Sequence, residues 1–151
     1  MQAETCLGGQ SWEWDGVRFE ILSPDVDEQV SGNDASCVLQ VKGRNGSALP
    51  AGDLMHRGEQ HLLKVEGDAR ASEVLIVPHH GSLTSSSAGF IQAVALKFAL
   101  FPMGYGDRWG FPKPRLMAAY RDTGAQLLDT VTAGAMEIRL WPGREPEVVS
   151  R

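Results

Sequence analysis

Two short segments place metal-binding residue types at the ends of predicted strands. Gly52-Asp53 puts a carboxylate where a strand gives way to a loop, and rigid backbone there can hold a metal ligand. His79-His80, followed by Gly81, puts two adjacent imidazoles after an apolar strand, and histidine is a common ligand of zinc, manganese and iron. The alternatives are a turn or cap role for Asp53 and a structural or exposed role for the histidine pair.

Two polar loops carry side chains that could contact a substrate. The Gly-rich segment 105–112 contains Arg108, whose guanidinium can hold a phosphate in a bidentate fork; the alternative is a surface loop with a packing tryptophan. The segment 31–36 contains Asn33 and Ser36, and it either starts a strand or lines a cleft.

Short strands and interspersed helices must position these residues. Alternating or all-apolar runs predict the strands, and capping residues and apolar spacing predict the helices. The order predicts an α/β (α+β) fold. The predicted strands are Trp12–Trp14, Val17–Leu22, Ser36–Lys42, a return through Ala48-Leu49 to Gly52-Asp53, Glu73–Pro78, Lys97–Met103, Gln126–Leu128 and Ala135–Trp141. The predicted helices are Arg57–Val65, Ala88–Val94 and Pro114–Arg121.

Length and composition bound the architecture. A chain of 151 residues that is 42% hydrophobic is long enough for one domain with a core, so residues 1–151 are predicted to form a single domain. No apolar run approaches the roughly 20 residues of a membrane helix, and the first residues have neither a basic nor an apolar export region. The sequence therefore predicts a soluble chain without an export signal of its own.

Charge and cysteine content limit the possible chemistry. A formal net charge of -5 argues against sequence-independent clamping of nucleic acid, which uses clustered Lys and Arg. A phosphate substrate would therefore be handled locally, by metal or by a few residues. Cys6 and Cys37 are too few for a Cys-rich metal site, and on their own they are either free thiols or a disulfide.

Taken in order, these motifs resemble the C-terminal part of the ComEC competence proteins, whose metallo-β-lactamase-like domain follows membrane-spanning helices. The similarity runs over nearly the whole chain, and the joint order of the motifs is more specific than any one of them. The matching pieces are Trp12-Glu-Trp14-Asp15-Gly16-Val17 with Phe19 and Pro24, Asn33-Asp34-Ala-Ser36-Cys37-Val38-Leu39, Gly52-Asp53, Val77-Pro78-His79-His80-Gly81-Ser82, Arg108-Trp109-Gly110-Phe111-Pro112, Gly124-Ala125, Thr130 and Gly134-Ala135.

The resemblance implies a phosphodiester hydrolase acting on DNA with two divalent metals, zinc or manganese, in the intact domain. It implies that Asp53 bridges the metals and that His79 supplies the last imidazole ligand, with His80 as the alternative. Substrate oxygens would then be contacted by Asn33, Ser36, Ser82 or Arg108.

This chain departs from the family pattern at several positions. The family's upstream cluster of His and Asp has no counterpart here, so the chain is expected to be the C-terminal half of a metallo-β-lactamase αββα sandwich. Such a half should bind no metal tightly, should be inactive alone, and should self-associate through exposed apolar surface and a bare strand edge. Ala51 stands where Thr often precedes Gly-Asp, and Phe111 stands where a histidine is found in some relatives.

Location and rival functions also follow from the resemblance. The domain is expected on the outer face of the cytoplasmic membrane, attached to the channel part of the same polypeptide, and Cys6 and Cys37 become plausible disulfide partners there. One alternative is a degenerate, non-catalytic interaction module at the channel mouth. Another is an unrelated hydrolase, such as a phosphocholine esterase, which fits Asp53 and His79 but not the Trp-rich segment 12–14.

Overall fold

A computed structural model describes residues 5–25, 30–65 and 71–150. It is a mixed α/β structure with a seven-stranded sheet and flanking helices, which confirms the predicted fold class. The prediction of no export signal depends in part on residues 1–4, which lie outside the described residues. In sheet order the strands are β1 (Ser11–Trp14), β2 (Val17–Ser23), β3 (Val38–Gly43), β4 (Gly46–Pro50), β5 (Val74–Ile76), β6 (Phe98–Phe101) and β7 (Gln126–Asp129). The helices are α1 (His56–Val65), α2 (Ala88–Val94), α3 (Pro114–Asp122) and the short α4 (Thr130–Ala133).

The first half of the sheet is antiparallel, and tight hairpins join β1 to β2 and β3 to β4. Strands β1 and β2 pair so that Trp14 lies opposite Val17. Asp15 and Gly16 between them have φ of 51° and 75°, the left-handed pair that a two-residue hairpin turn requires. Strands β2, β3 and β4 continue the antiparallel pairing, and the turn between β3 and β4 is Arg44-Asn45.

The second half of the sheet is parallel, and this places the candidate residues at one edge. Strands β4, β5, β6 and β7 pair in parallel, and α1, α2 and α3 lie in the connections between them. The carboxyl ends of all four strands therefore meet at the same edge of the sheet, where ligands bind in open α/β sheets. The segment that precedes β3 reaches the same edge, because β3 runs antiparallel to β4.

One apolar core joins the sheet to the helices. The strands contribute aliphatic side chains together with Phe98 and Phe101, and α1, α2 and α3 each bury apolar side chains against them, as their apolar spacing predicts. The fully buried core residues include Val38, Leu49, Leu54, Leu62, Leu75, Val77, Phe90, Val94, Phe101 and Tyr120.

The structure differs from the sequence-based prediction at the end of the chain. The predicted strand Ala135–Trp141 is shorter, as β8 (Met136–Arg139), and it pairs with β9 (Glu147–Ser150) in a separate two-stranded sheet. Strand β9 was not predicted, because its four residues follow a Pro- and Gly-containing stretch with weak alternation. In the parts of the chain that are described, no helix has the length and apolar content needed to cross a bilayer.

Candidate active site

Asp53 and His80 face each other where β4 and β5 end. Asp53 follows β4 by three residues and His80 follows β5 by four. The His80 Nε2 atom lies 3.6 Å from the Asp53 Oδ1 atom, and both side chains are about half-exposed. The backbone N–H of His79 donates to the carbonyl oxygen of Gly52 at 3.0 Å, so the two loops are fixed to each other. The parallel sheet thus brings together two residues that are 27 positions apart in sequence.

The His80 ring is oriented by a backbone carbonyl. Its Nδ1 atom lies 2.7 Å from the carbonyl oxygen of Pro102. Because a carbonyl oxygen only accepts, Nδ1 is the nitrogen that donates, and Nε2 is the ring nitrogen directed at Asp53. With Nε2 unprotonated, this nitrogen and the Asp53 carboxylate are two acceptors that a cation between them would stabilise. A nitrogen donor and a carboxylate suit zinc or manganese, and a carbonyl on the other ring nitrogen is the usual companion of a metal-binding histidine.

His79 has different neighbours. Its Nδ1 atom lies 3.1 Å from the Thr84 hydroxyl and its Nε2 atom lies 3.4 Å from the Asn33 side-chain nitrogen. Both ring nitrogens are therefore engaged by polar groups of the protein. In this arrangement His80, rather than His79, directs a ring nitrogen at Asp53, while the assignment of His79 as a metal ligand stays a prediction.

The loop that carries the histidines has a strained backbone. His79, His80 and Gly81 have φ of 48°, 55° and 81°, and the left-handed conformation costs a non-glycine residue about 1–2 kcal/mol. The loop is secured by the Ser85 hydroxyl, which lies 3.0 Å from the carbonyl oxygens of both Pro78 and Ser82. Such strain is found mostly where a site needs a fixed geometry.

Side chains from the segment before β3 hydrogen-bond to the backbone at Asp53 and just after it. The Ser36 hydroxyl accepts the backbone N–H of Asp53 at 3.1 Å. Buried Asp34 accepts the N–H of Met55 at 3.2 Å and of Gly58 at 2.9 Å, which satisfies donors at the start of α1. No role was predicted for Asp34 from the sequence, although it belongs to the segment after Asn33 that carries the family resemblance.

A cavity of about 560 Å³ opens beside Asp53 and His80. Its lining combines two carboxylates and two imidazoles with three large apolar side chains. The lining residues are Asp53, His79, His80, Met103, Gly104, Asp107, Trp109 and Phe111. The Thr130 hydroxyl lies 2.7 Å from both the backbone N and the backbone O of Met103, which fixes the loop that follows β6. A second cavity, of about 450 Å³, lies between the hairpin turns and holds no histidine.

The predicted substrate-contacting residues lie around this cavity rather than in its lining. Asn33 and Ser36 contact His79 and Asp53 as described above. Ser82 is buried, with its hydroxyl 3.0 Å from the Thr84 hydroxyl. The Arg108 guanidinium lies over the Trp109 ring, 4.7 Å from its centroid. Within the described ranges, no group of three or more His, Cys, Asp or Glu side chains is arranged to hold a metal ion.

A buried acidic network also supports the site and was not predicted. Glu59 of α1 is fully buried, and its carboxylate accepts the backbone N–H groups of Ser86 and Ser87. The Tyr120 hydroxyl donates to the Ser86 hydroxyl at 2.8 Å, and burial raises the pKa of Tyr120 above its ordinary value. This network ties α1 and α3 to the serine-rich segment after the histidines.

A disulfide joins the start of the described chain to the site. Cys6 and Cys37 are bonded in the structure, with a sequence separation of 31 residues. Because Cys37 directly follows Ser36, the bond ties the segment before β1 to the residue that holds the Asp53 backbone.

Comparison with known proteins gives consistent relatives, although no family model matches the chain. The chain is 38% identical over 134 residues to Competence protein ComA of Neisseria gonorrhoeae, covering 89% of this chain and 19% of that protein. It is 30% identical over 139 residues to Recombination protein 2 of Haemophilus influenzae, covering 92% and 17%. It is 31% identical over 123 residues to ComE operon protein 3 of Bacillus subtilis, covering 82% and 16%. The chain thus spans less than a fifth of the length of these relatives.

Proposed function

We propose that this chain is a segment of a ComEC-family competence protein and that it contributes part of a metal-dependent phosphodiester hydrolase to DNA uptake. The relatives named as a competence protein and a ComE operon protein support the family and a role in DNA uptake. They also fit a membrane-associated system, in which we place this domain on the outer face, attached to the channel part of the same polypeptide.

The observation that carries the hydrolase proposal is the pairing of the Asp53 carboxylate with the His80 Nε2 atom, 3.6 Å apart beside the cavity. These two residues would hold the metal. When bound, metal supplies a water of lowered pKa as nucleophile and neutralises charge on the phosphodiester. The carbonyl of Pro102 keeps the His80 ring turned toward Asp53, and Ser36 keeps the Asp53 backbone in place.

Two donors are fewer than a stable zinc site uses, since such sites have three or four protein ligands. We therefore propose that the remaining ligands come from a His and Asp cluster upstream, as the family resemblance implies, and that this chain alone holds metal weakly. His79 remains a further candidate ligand. In the intact domain Asp53 would bridge two metals.

Metal retention tests this proposal. The chain and a form extended upstream are incubated with zinc or manganese, desalted, and measured by elemental analysis. We expect stoichiometric metal in the extended form, and at least about tenfold weaker retention after Asp53→Asn or His80→Ala. A His79→Ala variant, measured in the same way, shows whether the imidazole of His79 or that of His80 binds the metal.

A matched control is available elsewhere in the fold. Asp25 Oδ2 lies 3.6 Å from His61 Nε2, the same separation as in the candidate site, but neither residue lines the cavity beside Asp53 and His80. Asp25→Asn should therefore leave metal retention unchanged. Equal metal loss in Asp25→Asn and Asp53→Asn would contradict the assignment, and so would metal retained by both Asp53→Asn and His80→Ala.

The second candidate is a non-catalytic interaction module at the channel mouth. The observation that favours it is the apolar part of the cavity lining, Met103, Trp109 and Phe111, with Phe111 at the position where the family resemblance implies a histidine. This candidate predicts that Asp53→Ala in the natural full-length protein leaves DNA uptake unchanged. The hydrolase proposal predicts that the same change abolishes strand degradation by that protein.

A further inference from the structure

The loop between β6 and α3 exposes two large aromatic side chains beside the candidate site. Tyr105 is 96% exposed and Trp109 is 61% exposed. Trp109 also lines the cavity that contains Asp53 and His80. Exposed aromatic rings next to a polar site are a feature of ligand-binding surfaces rather than of packing.

The loop is held in a fixed relation to the histidine loop. The Asp107 carboxylate accepts the backbone N–H of Phe111 at 2.7 Å. The Lys113 ammonium donates to the carbonyl oxygen of Trp109 at 2.7 Å, and the Lys113 backbone N–H donates to the carbonyl oxygen of Gly81 at 3.0 Å. These bonds order the backbone that carries the Trp109 ring, which reduces the entropy cost of binding a ligand to it.

The same segment is locally basic in an acidic chain. Between residues 104 and 116 there are three cations, Arg108, Lys113 and Arg115, and one acid, Asp107, whereas the whole chain has a net charge of -5. The guanidinium of Arg108 lies 4.7 Å from the centroid of the Trp109 ring. Arg108 therefore places a positive charge directly beside the exposed Trp109 ring, at the rim of a cavity that also contains Asp53 and Asp107.

We infer that Trp109 and Tyr105 form a platform on which unpaired bases of single-stranded DNA stack, with Arg108 supplying charge for the backbone phosphates. Stacking on an aromatic ring requires a free base face, which a single strand offers and a duplex covers. The cavity of about 560 Å³ lies in the ordinary range for small-molecule sites, so one nucleotide can be accommodated beside Asp53 and His80. This inference rests on the proposed function in DNA handling.

Binding in the presence of a chelator tests the platform separately from metal chemistry. The 151-residue chain is titrated into a fluorescein-labelled oligothymidylate of about 12 nucleotides in EDTA, and anisotropy is recorded. We expect Trp109→Ala to weaken binding by about 5-fold to 100-fold, and Trp109→Phe to lose less because a ring remains. Tyr105→Ala should weaken binding as well, and circular dichroism checks that each variant keeps its fold.

Two controls separate stacking from charge. Trp14→Ala removes a tryptophan that is 75% exposed on β1, away from the platform, and should leave affinity unchanged. An abasic oligomer of the same length should bind the parent and Trp109→Ala equally. Arg108→Ala should instead lower the slope of log affinity against log salt concentration by about 0.7.

Each outcome decides the inference. A change of less than about twofold in Trp109→Ala, an equal loss in Trp14→Ala, or tighter binding to duplex than to single strand overturns it. Absence of metal in the retention experiment would remove the hydrolase proposal and leave this binding result intact, because the assay contains a chelator. Conversely, binding that does not depend on Trp109 would leave the assignment of Asp53 and His80 unaffected.

Discussion

Gly81 is the position where a single methyl group would disturb the candidate site most directly. Its φ is +81°, and a Cβ atom there would lie 2.6 Å from the Cβ atom of Pro112 and 3.1 Å from the Cδ1 atom of Phe101. Pro112 lies in the loop between β6 and α3, and Phe101 is a buried core residue of β6. Neither atom is at the end of a flexible side chain, so neither can move away easily. We therefore expect Gly81→Ala to destabilise the protein and to displace the two loops.

Two costs contribute to the expected magnitude. Placing alanine in the left-handed region costs about 1–2 kcal/mol, and forcing an extra methyl into a packed contact costs about 1–3 kcal/mol. Together they predict a loss of about 2–5 kcal/mol in the free energy of unfolding. Gly124 offers a matched control, because its φ is +83° but a Cβ atom there would meet no atom within 4 Å. Gly124→Ala should lose only the conformational part, about 1–2 kcal/mol.

Urea unfolding followed by circular dichroism measures both variants on the same scale. The difference between Gly81→Ala and Gly124→Ala isolates the contact with Pro112 and Phe101. We also expect Gly81→Ala to weaken metal retention by the extended form, since the displaced loop carries His80, and Gly124→Ala to leave it unchanged. Equal losses of stability in the two variants would refute the claim that the two loops are packed against each other at Gly81.

Two further predictions concern bonds outside the histidine loop. Changing both Cys6 and Cys37 to Ser should lower the free energy of unfolding by about 3–4 kcal/mol. This magnitude is the chain entropy of a closed loop of this size, because the two cysteines are 31 residues apart. Reducing agent should destabilise the parent protein to the same degree and leave the double variant unchanged. Burial alone would raise the pKa of Glu73, but hydrogen bonds from the Ser47 hydroxyl and backbone N–H outweigh it and lower the pKa below its ordinary value. The stability from this carboxylate is therefore present above its ordinary pKa and lost as pH falls through the lowered value. Because Glu73 is only partly buried, solvent screening limits the expected cost of Glu73→Gln to about 1 kcal/mol or less at pH 7, with little cost at pH 2. Urea unfolding at the two pH values checks this, and an equal cost at both would count against the charged hydrogen bonds.

Much of the fold follows from local sequence patterns. Alternation and turn chemistry predict the two hairpins of the antiparallel half. Asp15-Gly16 forms the first turn, whereas the second turn is Arg44-Asn45, one residue earlier than the predicted Asn-Gly pair, because Gly46 already pairs with Gly43. Short all-apolar runs predict the buried parallel strands, and Ser87 caps α2 by accepting the backbone N–H of Phe90. These signals are local, because each depends on residues within one turn or one strand. The final hairpin was only half predicted, because the stretch after β8 contains Pro142, Gly143 and Pro146 and gives β9 no clear periodicity.

The arrangement of the site is harder to predict from the sequence, because it depends on which strands are neighbours in the sheet. Local patterns place Asp53 and His80 after separate strands, but only the parallel pairing of β4 and β5 shows that their side chains meet. Distinguishing His80 from His79 needs the carbonyl of Pro102, which is 22 residues away in sequence.

The buried acids that support the site are harder still to predict, because in the sequence they look the same as acids exposed to solvent. Asp34 and Glu59 look like surface acids, yet both are buried and accept backbone N–H groups beside the site. An unpaired buried carboxylate is costly, so such residues persist only where their partners are fixed. The carboxyl edge of the sheet is therefore held by polar contacts from α1 and from the segment before β3. We expect conservative changes at these buried acids to disturb the geometry of Asp53 and His80 without touching either residue.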